Sequence, residues 1–310
     1  MSERLVGDLT LEERYFQRMA DSLGDKTRIF QHLPPVTDPT NPPHVLDVGA
    51  GGGEFADALT QLGYKVSALD ANEDAVNRLQ FRYRKLEVLH ALANHAQDFG
   101  ANKYDAVICS SILHEVFSYG DDVHKAGHLS SLRRALQSFH AALKPGGVLI
   151  IRDGVLPDNW NHPARVQIVD KTDIPAVHEY LKLCPFANGT AYDKQGHMVW
   201  LTETTNHWFA GNARSVMEFA YTFTWGIDSY PRETQELYGV LTLNGYKNML
   251  TEQHYQVEQA YSYLQPGYPA HLEGKLVLEV DGQPAEWFPS NAIWVARKLE
   301  ISSQRKRKET

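Results

Sequence analysis

Short apolar runs alternate with amphipathic stretches through the first half of the chain. The apolar runs predict strands, at residues 44–48, 65–70, 86–92, 105–113 and 148–152. The amphipathic stretches carry apolar residues at helical spacing and predict helices, at residues 54–62, 72–83 and 123–143. Strands and helices that alternate in this way indicate βαβ units, so we predict a parallel sheet with right-handed crossovers.

The flanking regions have a different character. Residues 9–32 show helical spacing, and a proline-rich connector follows them up to residue 43. From residue 156 to about 250 aromatic residues crowd together, and this stretch is longer than a crossover between two strands requires. Because long connections at a ligand-binding edge usually have structure or function of their own, we predict an insertion there.

The strand pattern resumes near the end of the chain. Residues 255–264 and 293–299 are predicted to form a closing antiparallel hairpin, which residues 275–281 lengthen. We therefore predict five segments: a helical segment with its connector, a core, an insertion or lid, the closing strands and a basic tail. Their bounds are 1–43, 44–155, 156–250, 251–300 and 301–310.

Composition narrows the class of partner. The 310-residue chain is 43% hydrophobic, enough for a full core, and its formal net charge of -8 disfavours a nucleic-acid partner. The basic run 305–308 is interpreted as a solvated terminus. No apolar run approaches the ~20 residues that span a bilayer, the N-terminus lacks the apolar core of a signal peptide, and the two cysteines form no metal-like pair. We expect a cytoplasmic protein without a membrane partner.

The most specific motif is a glycine-rich loop between the first strand and the first helix. It runs D-x-G-x-G-x-G from Asp47 to Gly53, and the next predicted strand ends at Asp70. Such a loop lets the backbone approach a ligand, and the helix start offers N–H donors. A dinucleotide fingerprint would need its third glycine at the position of Glu54, so the spacing disfavours a pyrophosphate. The Asp70 carboxylate is suited to accept hydrogen bonds from ribose hydroxyls.

These residues resemble the class I S-adenosylmethionine (SAM)-dependent methyltransferases. The resemblance covers residues 44–154 and includes YDAVICSS at 104–111 and LKPGGVLI at 143–150. It implies an α/β fold with a Rossmann-like, mostly parallel seven-stranded sheet, an antiparallel final hairpin and an insertion after strand five. It implies SAM as the cofactor, with Asp47 and the glycines at its amino acid part, Asp70 at its ribose, and Asn94 or Asp98 on the adenine side. The cofactor-binding set predicted in this way is Asp47, Gly49, Ala50, Gly51, Gly53, Asp70, Ala71, Asn94, Ser110 and Ser111.

The candidate catalytic residues follow strand four. His114 stands at the carboxyl edge of the sheet and could act as a general base, with Glu115 orienting it or acting itself. The alternative is that His114 only positions substrate or cofactor. His124 and His128 share a helix face and make a metal site conceivable, but the stretch is typical of a solvated helix start, so no metal is predicted.

Candidate acceptor-binding residues lie at the end of strand five and in the insertion. Arg152 and Asp153 end strand five, where a salt bridge between the two is the alternative role. Several polar and aromatic residues of the insertion could wall an apolar pocket, or else form a satellite core. They are His207, Trp208, Arg214, Tyr221 and Trp225.

The sequence therefore predicts methyl transfer from SAM to oxygen or nitrogen of a small molecule or a peptide side chain. Two alternatives stay open: SAM-dependent chemistry other than methylation, such as aminocarboxypropyl transfer or cyclisation of SAM, and a non-catalytic SAM-binding protein. The pattern does not decide the acceptor, and it leaves a homodimer open.

Overall fold

The computed structural model describes residues 23–190 and 199–299. Seven strands form the main sheet, in the order β3-β2-β1-β4-β5-β12-β9. The strands of this sheet are β1 (His44–Val48), β2 (Lys65–Asp70), β3 (Glu87–His90), β4 (Tyr104–Ser110), β5 (Leu143–Gly154), β9 (Tyr255–Tyr263) and β12 (Asn291–Lys298). The first five strands run parallel, and β12 runs antiparallel to both β5 and β9. The predicted fold class is confirmed.

A second sheet has five strands, in the order β11-β10-β6-β8-β7. Its strands are β6 (Pro163–Ile168), β7 (Thr202–Glu203), β8 (Trp208–Asn212), β10 (Leu276–Val280) and β11 (Gln283–Pro284). Residues 275–281 were expected to lengthen the closing hairpin of the main sheet. Instead β10 pairs with β6 of the insertion, because its alternating Leu276 and Leu278 are buried against that sheet.

Eleven α-helices fall within the described ranges. They are α1 (Leu23–Lys26), α2 (Glu54–Gln61), α3 (Glu73–Arg82), α4 (Leu113–Tyr119), α5 (Leu129–Ala142), α6 (Ile174–Leu183), α7 (Pro185–Asn188), α8 (Ala213–Phe223), α9 (Tyr230–Glu233), α10 (Leu243–Glu252) and α11 (Gly267–Leu272). Short 3₁₀ helices cover Thr27–His32, Ala93–Phe99, Lys171–Asp173, Thr205–His207 and Ile227–Ser229. No helix in the described ranges is both long and apolar enough to cross a membrane.

The core lies on both faces of the main sheet because successive strand residues point to opposite sides. On β1 and β4, Val45 and Ala106 belong to one buried cluster, whereas Leu46 and Val107 belong to the other. Strands buried on both faces read as continuous apolar runs, which explains why their positions could be predicted from the sequence.

Several element ends differ from the prediction. The helix expected at 123–143 begins only at Leu129, since the backbone at Gly127 has a φ of 78°, and Val123 is exposed. The strand expected to reach residue 113 ends at Ser110, and Leu113 starts α4. Of the helix expected at 9–32, only residues 23–32 are described, as α1 and a 3₁₀ helix. The segment 9–22 and the basic tail lie outside the described residues.

Candidate active site

The glycine loop lies at the carboxyl edge of the main sheet. Gly49 has a φ of 72°, and a Cβ there would lie 1.9 Å from the Ile112 side chain, so only glycine fits. Its backbone N–H donates to the Leu69 carbonyl at 2.7 Å, and the Gly51 N–H donates to the Asp70 carboxylate at 2.8 Å. These bonds join the loop to the end of β2.

A cavity of about 570 Å³, which we call the loop cavity, opens beside this loop. Four residues of the predicted cofactor set line it: Gly49, Gly51, Asp70 and Ala71. Leu92, Ala93 and Ile112 supply apolar walls. Asn72 also lines the loop cavity, and its side chain caps the N-terminus of α3, as predicted.

Asp47 is buried beneath the loop. Its Oδ2 has no hydrogen-bond partner among the described residues. Burial raises the pKa of this carboxyl to about 7, against the opposing effect of nearby Lys26. A buried carboxylate oxygen without a donor indicates that a ligand with a cationic or N–H group completes the site. The charged amino group of SAM meets that need, and the loop cavity suits the nucleoside part, so these residues fit this cofactor.

Asn94 is placed differently from the prediction. Its side-chain amide donates to Asp122 at 2.7 Å, and it is not among the described residues that line the loop cavity. The alternative, Asp98, accepts from His95 at the surface. Among the other predicted cofactor residues, Ser110 is buried, with an Oγ that has no hydrogen-bond partner in the described ranges. Ala50 and Gly53 belong to the loop; Ala50 is buried, and a Cβ at Gly53 would meet the side chains of Leu79 and Tyr83.

His114 lies on the first turn of α4 and is oriented by Asp153, not by Glu115. Asp153 is fully buried at the end of β5 and accepts from His114 Nδ1 at 2.6 Å. It also accepts from the backbone N–H groups of Ile112, Leu113 and Gly154. Since an ionised Asp153 offers only acceptors, Nδ1 carries the hydrogen and Nε2 faces away from it. Asp153 therefore positions His114 and is too deeply buried to contact an acceptor.

Two further carboxylates surround the exposed side of the His114 ring. Glu236 Oε2 lies 3.3 Å from His114 Nε2, and Tyr119 holds the other oxygen of Glu236 at 2.7 Å. Burial would lower the pKa of His114, but Asp153 and Glu236 raise it well above its usual value. Burial, together with repulsion by Glu236, raises the pKa of Glu115 to about 8. The site thus gathers the carboxyl groups of Asp153, Glu115 and Glu236 around one imidazole.

A second cavity of about 460 Å³, which we call the insert cavity, opens on the other side of His114. The insertion lines it with Trp225, Glu233, Glu236 and Tyr238, and α11 adds Tyr268 and His271. Glu115 lines both this cavity and the loop cavity. The two cavities therefore meet beside His114.

Arg152 forms a different ion pair from the one considered in the sequence. It donates to Asp25 through Nε at 2.8 Å and to Ser111 Oγ at 2.8 Å, and does not pair with Asp153. Both Arg152 and Asp25 are buried. This pair fixes α1 against the end of β5, which brings the neighbouring Lys26 to the wall of the insert cavity.

Of the five insertion residues proposed as an acceptor wall, Trp225 lines the insert cavity. The other four are not among its described lining residues. Tyr221 is buried and its hydroxyl donates to the Phe288 carbonyl. Arg214 is buried and donates to the carbonyls of Gly239 and Val240. His207 ends the 3₁₀ helix Thr205–His207, and Trp208 begins β8, where the Arg165 guanidinium lies over its ring.

Arg214 and Glu218 instead hold the chain that reaches the cavity. Glu218, one turn along α8, accepts from the backbone N–H groups of Tyr238 and Gly239 at 2.8 Å each. A Cβ at Gly154 would lie 2.0 Å from the Tyr238 carbonyl oxygen, so a glycine at the end of β5 permits this close approach. The segment at Tyr238 and Gly239, which forms part of the cavity wall, is thus held by Glu218 and packs closely against Gly154 at the end of β5.

The residues that line or support the site and that the sequence prediction missed include Asp25, Lys26, Glu233, Glu236 and Tyr238. The bond from Tyr119 to Glu236 joins residues 117 positions apart, and that from Arg152 to Asp25 joins residues 127 apart. No local pattern reports such pairs. The one local signal is the spacing of Glu233 and Glu236, three residues apart beside an aromatic.

Known proteins match the core of the chain. A model of the methyltransferase domain family matches residues 46–151. An uncharacterized methyltransferase of Synechocystis sp. is 31% identical over 116 residues, which cover 37% of this chain and 49% of that protein. A ubiquinone biosynthesis O-methyltransferase of Haemophilus ducreyi is 32% identical over 116 residues, covering 34% and 43%. The chain therefore spans about half the length of the curated relatives it matches.

A solved structure of similar extent is a SAM-dependent methyltransferase of Methanosarcina mazei, with a TM-score of 0.48, 16% identity and coverage of 88% and 97%. The domain match identifies residues 46–151 as a methyltransferase domain, and the sheet order is that of the class I SAM-dependent type. SAM is the cofactor of this domain. The predictions of family and cofactor are confirmed.

Proposed function

We propose that the protein transfers the methyl group of SAM to an oxygen or nitrogen of a small molecule or peptide side chain held in the insert cavity. The observation that carries the proposal is the junction of the two cavities at Glu115, beside the oriented imidazole of His114. When bound, SAM supplies an electrophilic methyl group on its sulfonium sulfur.

The residues of the chain would bind the cofactor, hold the acceptor and exclude water. Asp47, the glycine loop and Asp70 would hold the cofactor, and Lys26 at the cavity wall is placed to neutralise its carboxylate. Trp225, Tyr238 and Tyr268 would hold the acceptor and exclude water. Correct alignment of the reacting atoms supplies much of the acceleration in such a transfer.

Proton removal falls to the cluster around His114. An acceptor hydroxyl or ammonium must lose its proton before or during transfer, and the carboxylates of Glu115 and Glu236 favour a positive charge beside the imidazole. The curated relatives include enzymes named as ubiquinone biosynthesis O-methyltransferases, which agrees with an oxygen acceptor.

The test is an acceptor screen with SAM labelled in its methyl group. We expect transfer of label to a small-molecule or peptide fraction and release of S-adenosylhomocysteine. Release of methylthioadenosine would instead indicate transfer of the aminocarboxypropyl group or cyclisation. Binding of SAM without label transfer to any fraction would contradict the proposed activity.

A further inference from the structure

We propose that His114, Glu115 and Glu236 form a binding site for a divalent transition-metal cation at the junction of the two cavities. The proposal rests on the proposed function, since the cation would act on the acceptor of that same reaction. The nitrogen and oxygen donors of the three side chains all lie within 4.8 Å of one another. Among the described residues this is the group whose donors converge in this way.

The separation of the donors matches a shared cation. Two ligands bound at ~2.1 Å from one ion and roughly 90–110° apart lie about 3.0–3.4 Å from each other. His114 Nε2 and Glu236 Oε2 lie 3.3 Å apart. At this distance either the Nε2 proton or a cation lies between the two atoms, and the metal-content experiment below distinguishes the two.

The hydrogen-bond partners that would hold the metal ligands in place are already in position. Asp153 accepts a hydrogen bond from His114 Nδ1, so a metal would bind at Nε2 by displacing the proton of that nitrogen. Tyr119 binds the far oxygen of Glu236 and turns the near one towards His114. In metal sites such outer partners fix the tautomer and the ring orientation of the ligating histidine. His114 is 7% exposed and Glu236 6% exposed, so neither side chain is free to swing away.

The charge around the site favours a cation. Three carboxyl groups, those of Glu115, Glu233 and Glu236, line the insert cavity, and the cations that act on them are Lys26, which acts on Glu115, and Arg232, which acts on Glu115 and Glu233. A donor set of one imidazole and two carboxylates suits Mn²⁺, Fe²⁺ or Zn²⁺ and offers too little oxygen for Ca²⁺. With three protein ligands, the remaining coordination positions face the insert cavity.

A cation there would bind the acceptor oxygen and lower its pKa, so that its proton passes to Glu233, the carboxyl group that lines the insert cavity outside the ligand set. The substrate class is therefore an acceptor that presents a hydroxyl or a chelating pair of oxygens. No oxidation or reduction is involved.

The experiment measures metal content. The full chain, prepared without a histidine tag, is stripped with a chelator, incubated with MnCl₂ or ZnCl₂, desalted and analysed by mass spectrometry for metal per chain. We expect one equivalent for the wild type, and at least a tenfold weaker retention for His114→Ala and for Glu236→Gln. A Glu115→Gln variant gives the same information if either of these fails to fold, as judged by circular dichroism.

The matched control is the double variant His124→Ala with His128→Ala. These imidazoles stack with centroids 4.8 Å apart and offer a place outside the proposed site where an added metal could bind adventitiously. We expect its metal content to equal that of the wild type. Loss of metal from this control, or equal retention by wild type and His114→Ala, would overturn the site.

Label transfer from SAM is measured on the same samples, so that the two proposals fail separately. Undiminished transfer by metal-free protein overturns the metal site and leaves the proposed function standing. Retention of one equivalent through the three residues, without transfer to any acceptor, supports the site and contradicts the proposed function.

Discussion

The cofactor half and the acceptor half of this molecule are built by different means. Residues 44–154 form the parallel part of the main sheet, and their functional groups follow directly from strand ends, as Asp70 does. The acceptor half joins the insertion to β10 and α11, and its functional groups reach the site through contacts between distant segments. Local motifs are thus enough to place the cofactor-binding residues, whereas the position of the acceptor-binding residues depends on how remote segments pack.

The largest effect should come from the residue where the two halves meet. We expect His114→Ala to lower turnover by roughly 10²–10⁴-fold with SAM affinity nearly unchanged, because His114 lines the insert cavity and not the loop cavity. Kinetics with labelled SAM and calorimetry with SAM measure the two quantities. The matched control is His271→Ala, the other imidazole of the insert cavity, which should act mainly on the acceptor KM. Equal losses of turnover in both variants would show that His114 has no role distinct from that of His271.

The stability of the acceptor half should depend on a buried clamp, by which we mean the hydrogen bonds from the backbone N–H groups of Tyr238 and Gly239 to Glu218. We expect Glu218→Gln to lower the free energy of unfolding by about 2–3 kcal/mol, because a fully buried carboxylate that accepts from two backbone N–H groups loses its charge. Urea denaturation measures the change. The control Glu179→Gln, on the exposed face of α6, should cost less than about 0.5 kcal/mol. A Glu218 variant as stable as this control would show that the clamp is not needed.

In the cofactor half, SAM binding should depend on Asp70 at the end of β2. We expect Asp70→Ala to weaken SAM binding by about 1.5–3 kcal/mol, the range for lost hydrogen bonds to a charged group. The acceptor KM should stay the same, which calorimetry and initial rates can check together. Asp98→Ala is the matched control because Asp98 pairs with His95 at the surface. If both variants bound SAM like the wild type, Asp70 would not be the ribose acceptor.

The smallest effect concerns pH and the buried Asp47. Its pKa rises from 3.8 to about 7 in the folded chain, mainly through burial. Between these values the unfolded chain releases the proton while the folded chain keeps it, so stability without SAM is lost as pH rises through this window. We expect Asp47→Asn to remove that loss and to raise Tm above pH 7 relative to the wild type.

Thermal scans from pH 5 to pH 8 test this, with Asp57→Asn on the partly exposed side of α2 as the control. A wild type and an Asp47→Asn variant with parallel pH profiles would contradict a buried, proton-bearing Asp47. A steeper profile in the variant would contradict it as well.

The core strands could be predicted from the residue pattern alone. Buried parallel strands must be apolar on both faces, so β1 and β2 were predicted at the observed bounds. The glycine loop and Asp70 were also readable, because a tight turn and an acid at a strand end are requirements met within a few residues. The N-cap at Asn72 belongs to the same class of local signal.

Only the tertiary structure decided the acceptor side. Asp153 was visible as a strand end, but its hydrogen bond to His114 depends on β5 lying beside β4. Glu236 reaches His114 because α8 and Gly154 admit residues 237–240 against the core. Arg214 and Tyr221 looked like pocket residues since polar and aromatic side chains suit both a pocket and a buried clamp. Which of the two they serve depends on partners tens of residues away, and neither periodicity nor spacing carries that information.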